Sequence, residues 1–324
     1  LDSVEVTGDL TLPIGSYTLS GTLTVSGGVL SVPSGCEVTL SSLSLSFSRG
    51  GYLRIKGGCV RVENTRIIGD GEVAVLLDYS ARSELYFSSG EISGTYSSGA
   101  VSVSSGSLTV SGGSIKNLGG AAIIANTGIT LSGSPEILGV GCDIKASHPI
   151  SLSIGEREYT GSLTVGYGSL FARGTLTELF YNASAESVNG IRVLDAELCE
   201  YPLTYFSDST HTAEKNFAAV YLPYSLKYFV SDELFYEEKY ILGETVSLIP
   251  LPEQRGYLSL GWYLSDAETP FEPTEASSDI SLYARYRLIA PDFSISSLNF
   301  TYDGTPHSLA FDSITHPLLE VGAY

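Results

Sequence analysis

Positive charge is scarce in this 324-residue chain: 17 Lys and Arg face 36 Asp and Glu, for a formal net charge of −19. Sequence-independent binding to nucleic acid rests on Lys and Arg neutralising phosphates, so this balance argues against it. No run of about 18 apolar residues occurs, which argues against a membrane-spanning helix within the chain. Cys36, Cys59, Cys142 and Cys199 lack the paired spacing of a zinc site, and there is no P-loop or dinucleotide fingerprint. No metal or cofactor is therefore expected. Charged residues make up only 16% of the chain, while Gly, Ser, Thr, Val, Leu and Tyr dominate. Such a composition favours strands and turns over long helices. The hydrophobic share of 43% is enough for ordinary cores, so the chain is expected to fold. It begins at Leu1 without Met, signal peptide or anchoring motif, and reads as a mature or excised portion whose export signal and anchor lie outside it.

What the sequence does contain is a repeat. Leu85-Tyr-Phe87, Leu108-Thr-Val110 and Ile129-Thr-Leu131 align, and each is followed by a second similar string: Gly90-Glu-Ile-Ser93, Gly113-Ser-Ile-Lys116 and Ser134-Pro-Glu-Ile137. A third register runs through Ala100-Val-Ser-Val103 and Ala121-Ala-Ile-Ile124. Each period of about 22 residues thus holds three short strands. The N-terminal stretch follows in looser form: Leu23-Thr-Val25 recurs as Leu43-Ser-Leu45, Leu30-Ser-Val32 as Leu53-Arg-Ile55, and Val38-Thr-Leu40 as Val60-Arg-Val62. Within each strand apolar residues alternate with Ser, Thr or Arg, so one side faces in and the other out.

One such coil has no partner for its backbone hydrogen bonds and too little apolar area to fold alone; stacking supplies both. Parallel strands about 4.8 Å apart predict roughly nine coils over residues 1–200 and a rod about 45 Å long. The pairs Gly27-Gly28, Gly57-Gly58, Gly112-Gly113 and Gly119-Gly120 are expected at corners, where positive φ is needed. An antiparallel sandwich is the competing reading, but it has no need of a fixed period. The strings Gly-Glu-Ile-Ser-Gly, Ser-Gly-Gly-Ser-Ile-Lys-Asn and Leu-Ser-Gly-Ser-Pro-Glu-Ile resemble coils of the pectate-lyase-like right-handed β-helices of bacterial surface proteins. The resemblance covers about residues 1–200, with residues 150–193 less regular and read as a cap. Cys36 and Cys59, 23 residues apart, would fall on neighbouring coils, either as a disulfide or as two small buried side chains, the second reading being favoured.

Past Glu200 the 22-residue step stops, Pro, Tyr and Phe become frequent, and acidic residues outnumber basic ones more steeply. A boundary is expected between about Glu200 and Ser225, with residues 210–215 as a polar linker. Then come Leu226-Lys-Tyr-Phe-Val230, Ile241-Leu-Gly-Glu-Thr-Val246, Pro250-Leu-Pro252, Arg255-Gly-Tyr257, Gly261-Trp-Tyr263 and Ile280-Ser-Leu-Tyr-Ala-Arg-Tyr286. Their order and spacing resemble the internalin-type B repeat, or Listeria–Bacteroides repeat. That resemblance implies a compact β-grasp-like module used as a spacer or adhesive unit on exported bacterial proteins. Asp279 and Tyr283 stand at the family's usual acidic and aromatic positions, and Tyr286 replaces its usual final Trp. Trp262 reads as a core anchor rather than a ligand platform. Finally, Thr301-Tyr-Asp-Gly-Thr-Pro-His307 with Leu309, Ala323 and Tyr324 resembles the opening of bacterial Ig-like repeats, too short for a full sandwich. The expected fold class is all-β: a right-handed parallel β-helix with C-terminal cap (1–213), a B repeat (222–288) and a partial Ig-like unit (291–324).

Catalytic chemistry finds little support in the pattern. Polygalacturonase-like sites need paired carboxylates with a nearby His or Arg. Residues 1–150 hold one His, His148, and a single concentration of acids, Glu63, Asp70, Glu72 and Asp78, with Arg61 and Arg66 beside them. On a regular coil these point to different faces and read as solvated surface with ion pairs. Gly106-Ser107 is repeat punctuation rather than a nucleophile elbow, and Asn182-Ala-Ser184 is a glycosylation sequon by spelling only. No catalytic, cofactor or metal residue is assigned. The expected function is a monomeric, non-catalytic cell-surface adhesin or spacer, extracellular, binding a host or microbial glycan or surface protein. The alternative is a polysaccharide lyase or glycosidase of the β-helix class.

Overall fold

The computed structural model describes residues 3–78, 82–154, 157–169, 171–207, 216–289, 293–295 and 311–314. The chain divides into two units, Leu1–Tyr221 and Leu222–Tyr324.

The first unit is a right-handed parallel β-helix, coiled about every 22 residues. Three faces recur in turn. The first face carries Thr65–Gly71, Gly90–Tyr96, Ser114–Asn117 and Glu136–Leu138; the third carries Tyr52–Lys56, Val75–Leu77, Val101–Val103 and Ile123–Ala125; the second carries Cys59–Glu63, Glu84–Phe87, Ser107–Val110 and Ile129–Leu131. Each strand pairs in parallel with its counterpart one coil away. About seven turns are complete, fewer than the roughly nine expected, because the first face ends at Glu136–Leu138 while the second continues through Thr175–Tyr181 to Phe217–Leu222 and the third to Ile191–Leu194.

Alternation explains why these segments stack. Inward residues form continuous apolar ladders: Leu23, Leu45, Ile67, Ile92, Ile115 and Ile137 on the first face, and Leu40, Val62, Phe87, Val110 and Leu131 on the second. All are buried. At about 1.5–3 kcal/mol for each fully buried Val, Leu, Ile or Phe, these columns supply the main drive for stacking. The expected columns through Phe87, Val110 and Leu131 and through Ile92, Ile115 and Ile137 are the observed ones. Two expected registers are corrected. Leu23 pairs with Leu45 rather than Leu43, because the continuous strand Cys36–Ser48 turns a corner at Ser42 with φ of 54°. Val101 pairs with Ile123, which sets Ala100 beside Ala122 rather than Ala121.

The corners are held by buried polar side chains as well as by glycine. Thr65 donates to the Leu40 carbonyl at 2.9 Å, and Ser83 accepts from Gly57 N–H at 2.7 Å. Gly27, Gly57 and Gly113 have positive φ as expected, whereas Gly119 and Gly120 do not. Gly90 combines φ of 107° with a close approach: a Cβ there would lie 2.1 Å from the Thr65 carbonyl oxygen of the preceding coil. Gly90→Ala is therefore expected to destabilise the coil stack by at least about 2 kcal/mol. Denaturation followed by far-UV circular dichroism checks this, and a loss under about 0.5 kcal/mol would mean that the corner yields freely.

The four thiols are free. Cys59 stands opposite Glu37, one position off Cys36, so the two cysteines do not share a rung. Beyond Ile150 the ladder changes character. An antiparallel pair, Ser153–Ile154 with Arg157–Glu158, follows the second-face strand Ile150–Ser151. A short helix, Ala185–Asn189, follows, capped by Ser184 through reciprocal bonds with Ser187. Antiparallel pairing of Leu203–Phe206 with Phe217–Leu222 ends the sheet, with Phe206 and Phe217 stacked at 4.8 Å. The linker expected at 210–215 lies outside the described residues.

The second unit holds a mixed four-stranded sheet in the order Glu233–Tyr240, Tyr224–Val230, Ile280–Leu288, Tyr257–Tyr263. The two central strands are parallel and both outer pairs antiparallel. Leu226, Tyr228, Trp262 and Leu282 point to one side and form a core with Val246 and Ala276. Residues 241–246 are not a strand; Thr245 makes only an isolated bridge to Glu275. Of residues 291–324, strands Phe293–Ile295 and Phe311–Ile314 pair antiparallel. The motif at 301–307 lies outside the described residues.

Candidate functional site

Outward residues of the second face build the groove with the most evident chemistry. In each aligned string the middle residue points away from the core, so Arg61, Tyr86, Thr109, Thr130 and Ser151 form one outward column. Neighbouring members lie about one strand spacing, 4.8 Å, apart. Glu63, Ser88, Ser111 and Ser153 flank that column, and together these side chains line an open groove of about 460 Å³. The antiparallel pair beginning at Ser153 stands at its C-terminal end.

The N-terminal end of the groove is rigid and partly charged. The Arg61 guanidinium lies 4.6 Å from the centre of the Tyr86 ring, a cation–π contact that holds both side chains in place. The Tyr86 hydroxyl donates to Glu84 at 3.2 Å. Burial, then the neighbouring Glu84 carboxylate, pushes its pKa above the ordinary value, so the phenol stays a neutral hydrogen-bonding group at physiological pH. Burial likewise raises the Cys59 thiol, against an opposing pull from Arg61. The rest of the groove offers hydroxyls, which can donate and accept; of these Ser88 already donates to the Val62 carbonyl at 3.0 Å, and Ser151 accepts from Asn182 at 2.9 Å. Such a strip suits an extended, hydroxyl-rich ligand lying along the helix axis.

The structure separates the residues singled out from the sequence. Glu63 and Arg61 share the groove. Arg66 lies on the first face and pairs with Glu91 at 3.3 Å. Asp70 lies near the end of that face, and Glu72 at the corner beyond. Asp78 is buried after the third face and takes Arg54 at 2.8 Å. His148 is exposed on a turn. The four acids are thus spread over separate faces and corners, not gathered in the groove. Among the described residues, no group of three or more His, Cys, Asp or Glu could hold a metal ion. No described helix is long and apolar enough to cross a membrane. Asn182 bonds Ser151 at 2.9 Å through its side-chain amide, which ties the sequon to the cap.

The groove was not singled out from the sequence, although its signal was present: the central Tyr, Thr and Thr of the three aligned strings are the outward column. No known protein family and no curated protein sequence matches the chain.

Proposed function

We propose that this chain is a non-catalytic binding segment of an extracellular cell-surface protein, holding a glycan along the second-face groove. The observation that carries this reading is the outward column of Tyr86, Thr109, Thr130 and Ser151, which runs unbroken across four coils beside Arg61 and Glu63. Hydroxyls at a strand spacing, with one aromatic ring at the end, fit a chain of sugar rings better than a globular protein surface. The second unit is read as a B-repeat-like spacer or adhesive module. Support comes from Trp262, which is buried and donates its indole N–H to Ile249 at 2.8 Å, and from Asp279, which accepts from Ser225 N–H at 2.8 Å. An acidic, weakly charged composition suits an exported chain. The Ig-like identity of residues 291–324 remains part of this proposal.

A screen of the whole chain against glycans and matrix proteins tests the reading. Tyr86→Ala is expected to weaken binding of the uncharged glycan it finds by about tenfold, or about 1.4 kcal/mol. Ser102→Ala, on the third face, is expected to leave binding unchanged. A screen without ligands, or equal binding by the Tyr86 variant, would overturn the groove assignment. Steady release of reducing ends or unsaturated products, abolished by Glu63→Gln, would instead make the chain a carbohydrate-active enzyme.

A further inference from the structure

The second unit is acidic, yet its few cations are gathered on one surface. Its basic residues are Lys227, Lys239, Arg255, Arg285 and Arg287. Strand alternation fixes where each points. Leu226, Tyr228, Leu282 and Ala284 face the core or pack on it, so Lys227, Phe229, Tyr283, Arg285 and Arg287 face the opposite side. Register adds Lys239, opposite Ser225, and Tyr263, opposite Tyr283, to that same side. Every basic residue of the unit except Arg255 therefore lies on the outer face of the sheet.

Geometry keeps these charges in position. Lys239 bonds Ser225 at 2.7 Å and pairs with Glu237. Glu237 is an acid of this face, and its carboxyl is held below the usual range mainly by Lys239 and Ser225. At the sheet's end Asp279 is occupied by the Ser225 backbone. Arg285 lies 4.4 Å from the Tyr263 ring centre. Among the described residues no salt bridge engages Lys227, Arg285 or Arg287. Between Lys227 and Arg285, Phe229 and Tyr283 stack on each other at 5.1 Å and are half-buried. From the level of Lys227 to Arg287 the strand runs about 20 Å.

We propose that this outer sheet face binds an acidic glycan, one bearing sulfate or uronate groups. Charge complementarity selects an anion, because the face has a local excess of cations within a chain of net charge −19. The aromatic side chains then separate glycan from nucleic acid. Base recognition needs a free ring face, whereas Phe229 and Tyr283 cover each other and Arg285 covers Tyr263. What remains is a flat strip of cations and hydroxyls, open along the strands, which suits repeated anionic groups on an extended sugar chain. This site is separate from the second-face groove and does not rest on it.

The test uses the full chain and heparin, a sulfated uronate-containing glycan, with poly-glutamate and oligothymidylate as polyanion comparators. Heparin is expected to bind at 0.1 M salt and to be released by 1 M, where screening shortens from about 10 Å to about 3 Å. Lys227→Ala combined with Arg287→Ala is expected to weaken heparin binding at least tenfold without shifting thermal unfolding, while Tyr86→Ala leaves it unchanged. The assignment is overturned if heparin does not bind, if the double variant binds equally, or if Tyr86→Ala abolishes binding. It is equally overturned if either comparator binds as tightly as heparin.

Discussion

Asn117→Leu is expected to lower the stability of the coil stack by about 3–5 kcal/mol, more than any other single change to its corners. Asn117 is 1% exposed and uses its whole amide. Its oxygen accepts from the backbone N–H of Tyr96 at 2.8 Å and of Gly119 at 2.9 Å. Its nitrogen donates to the carbonyls of Tyr96 at 2.9 Å and Ala121 at 2.8 Å. The turn between the first and third faces interrupts the ladder there, and one side chain replaces the missing partners in its own coil and the preceding one. Leu has nearly the same size but supplies none of them, which leaves four backbone groups without their partner. Each buried, unsatisfied group costs about 1–3 kcal/mol, reduced where the turn relaxes to admit water. Urea denaturation followed by far-UV circular dichroism measures the loss, with Ser114→Ala on the same strand expected to stay within about 0.5 kcal/mol. A loss under 1 kcal/mol for Asn117→Leu would show that water takes over the bonds.

The sequence makes the ladders legible and leaves the corners obscure, for a physical reason. Inward residues must be apolar at every rung, so Leu85, Leu108 and Ile129 repeat visibly and their register holds. Alternation, however, is unchanged by a slip of two residues. That is why Leu43 is the expected partner of Leu23 where the structure pairs Leu45, two residues on, after the turn at Ser42. Asn117, Thr65 and Ser83 do their work through backbone groups of their own and neighbouring coils, and a lone Asn, Thr or Ser in a polar-rich repeat carries no mark of burial. The acids Glu63, Asp70, Glu72 and Asp78 are close in the chain but fall on different parts of a coil, as three-strand geometry requires. The cations of the second unit show the reverse case: Lys227 and Arg285 are 58 positions apart in the sequence, and only the parallel pairing of their strands puts them on one face.

That pairing also sets the second large effect. Leu282→Ala is expected to cost the second unit about 2–5 kcal/mol, the usual range for Leu truncation in a packed core. Leu282 is fully buried and directly opposite Tyr228, whose ring meets Trp262 edge-on at 4.8 Å. Removing the isobutyl group opens a void beside this pair, and two rigid rings cannot collapse into it. The core is small, with Leu226, Tyr228, Val246, Trp262, Ala276 and Leu282 as its buried members, so a loss of that size takes most of a small domain's stability. Trp262 is the only Trp in the chain and is 2% exposed, which makes its emission a reporter of this unit alone. In urea the emission midpoint of the full-length variant is expected to fall by roughly 2 M, given a slope near 1–3 kcal/mol/M. The far-UV transition of the coil stack, whose ladders contain no residue of the second unit, is expected to hold its midpoint. If both transitions move together, the two cores do not unfold independently, and the division at Leu222 marks no energetic boundary.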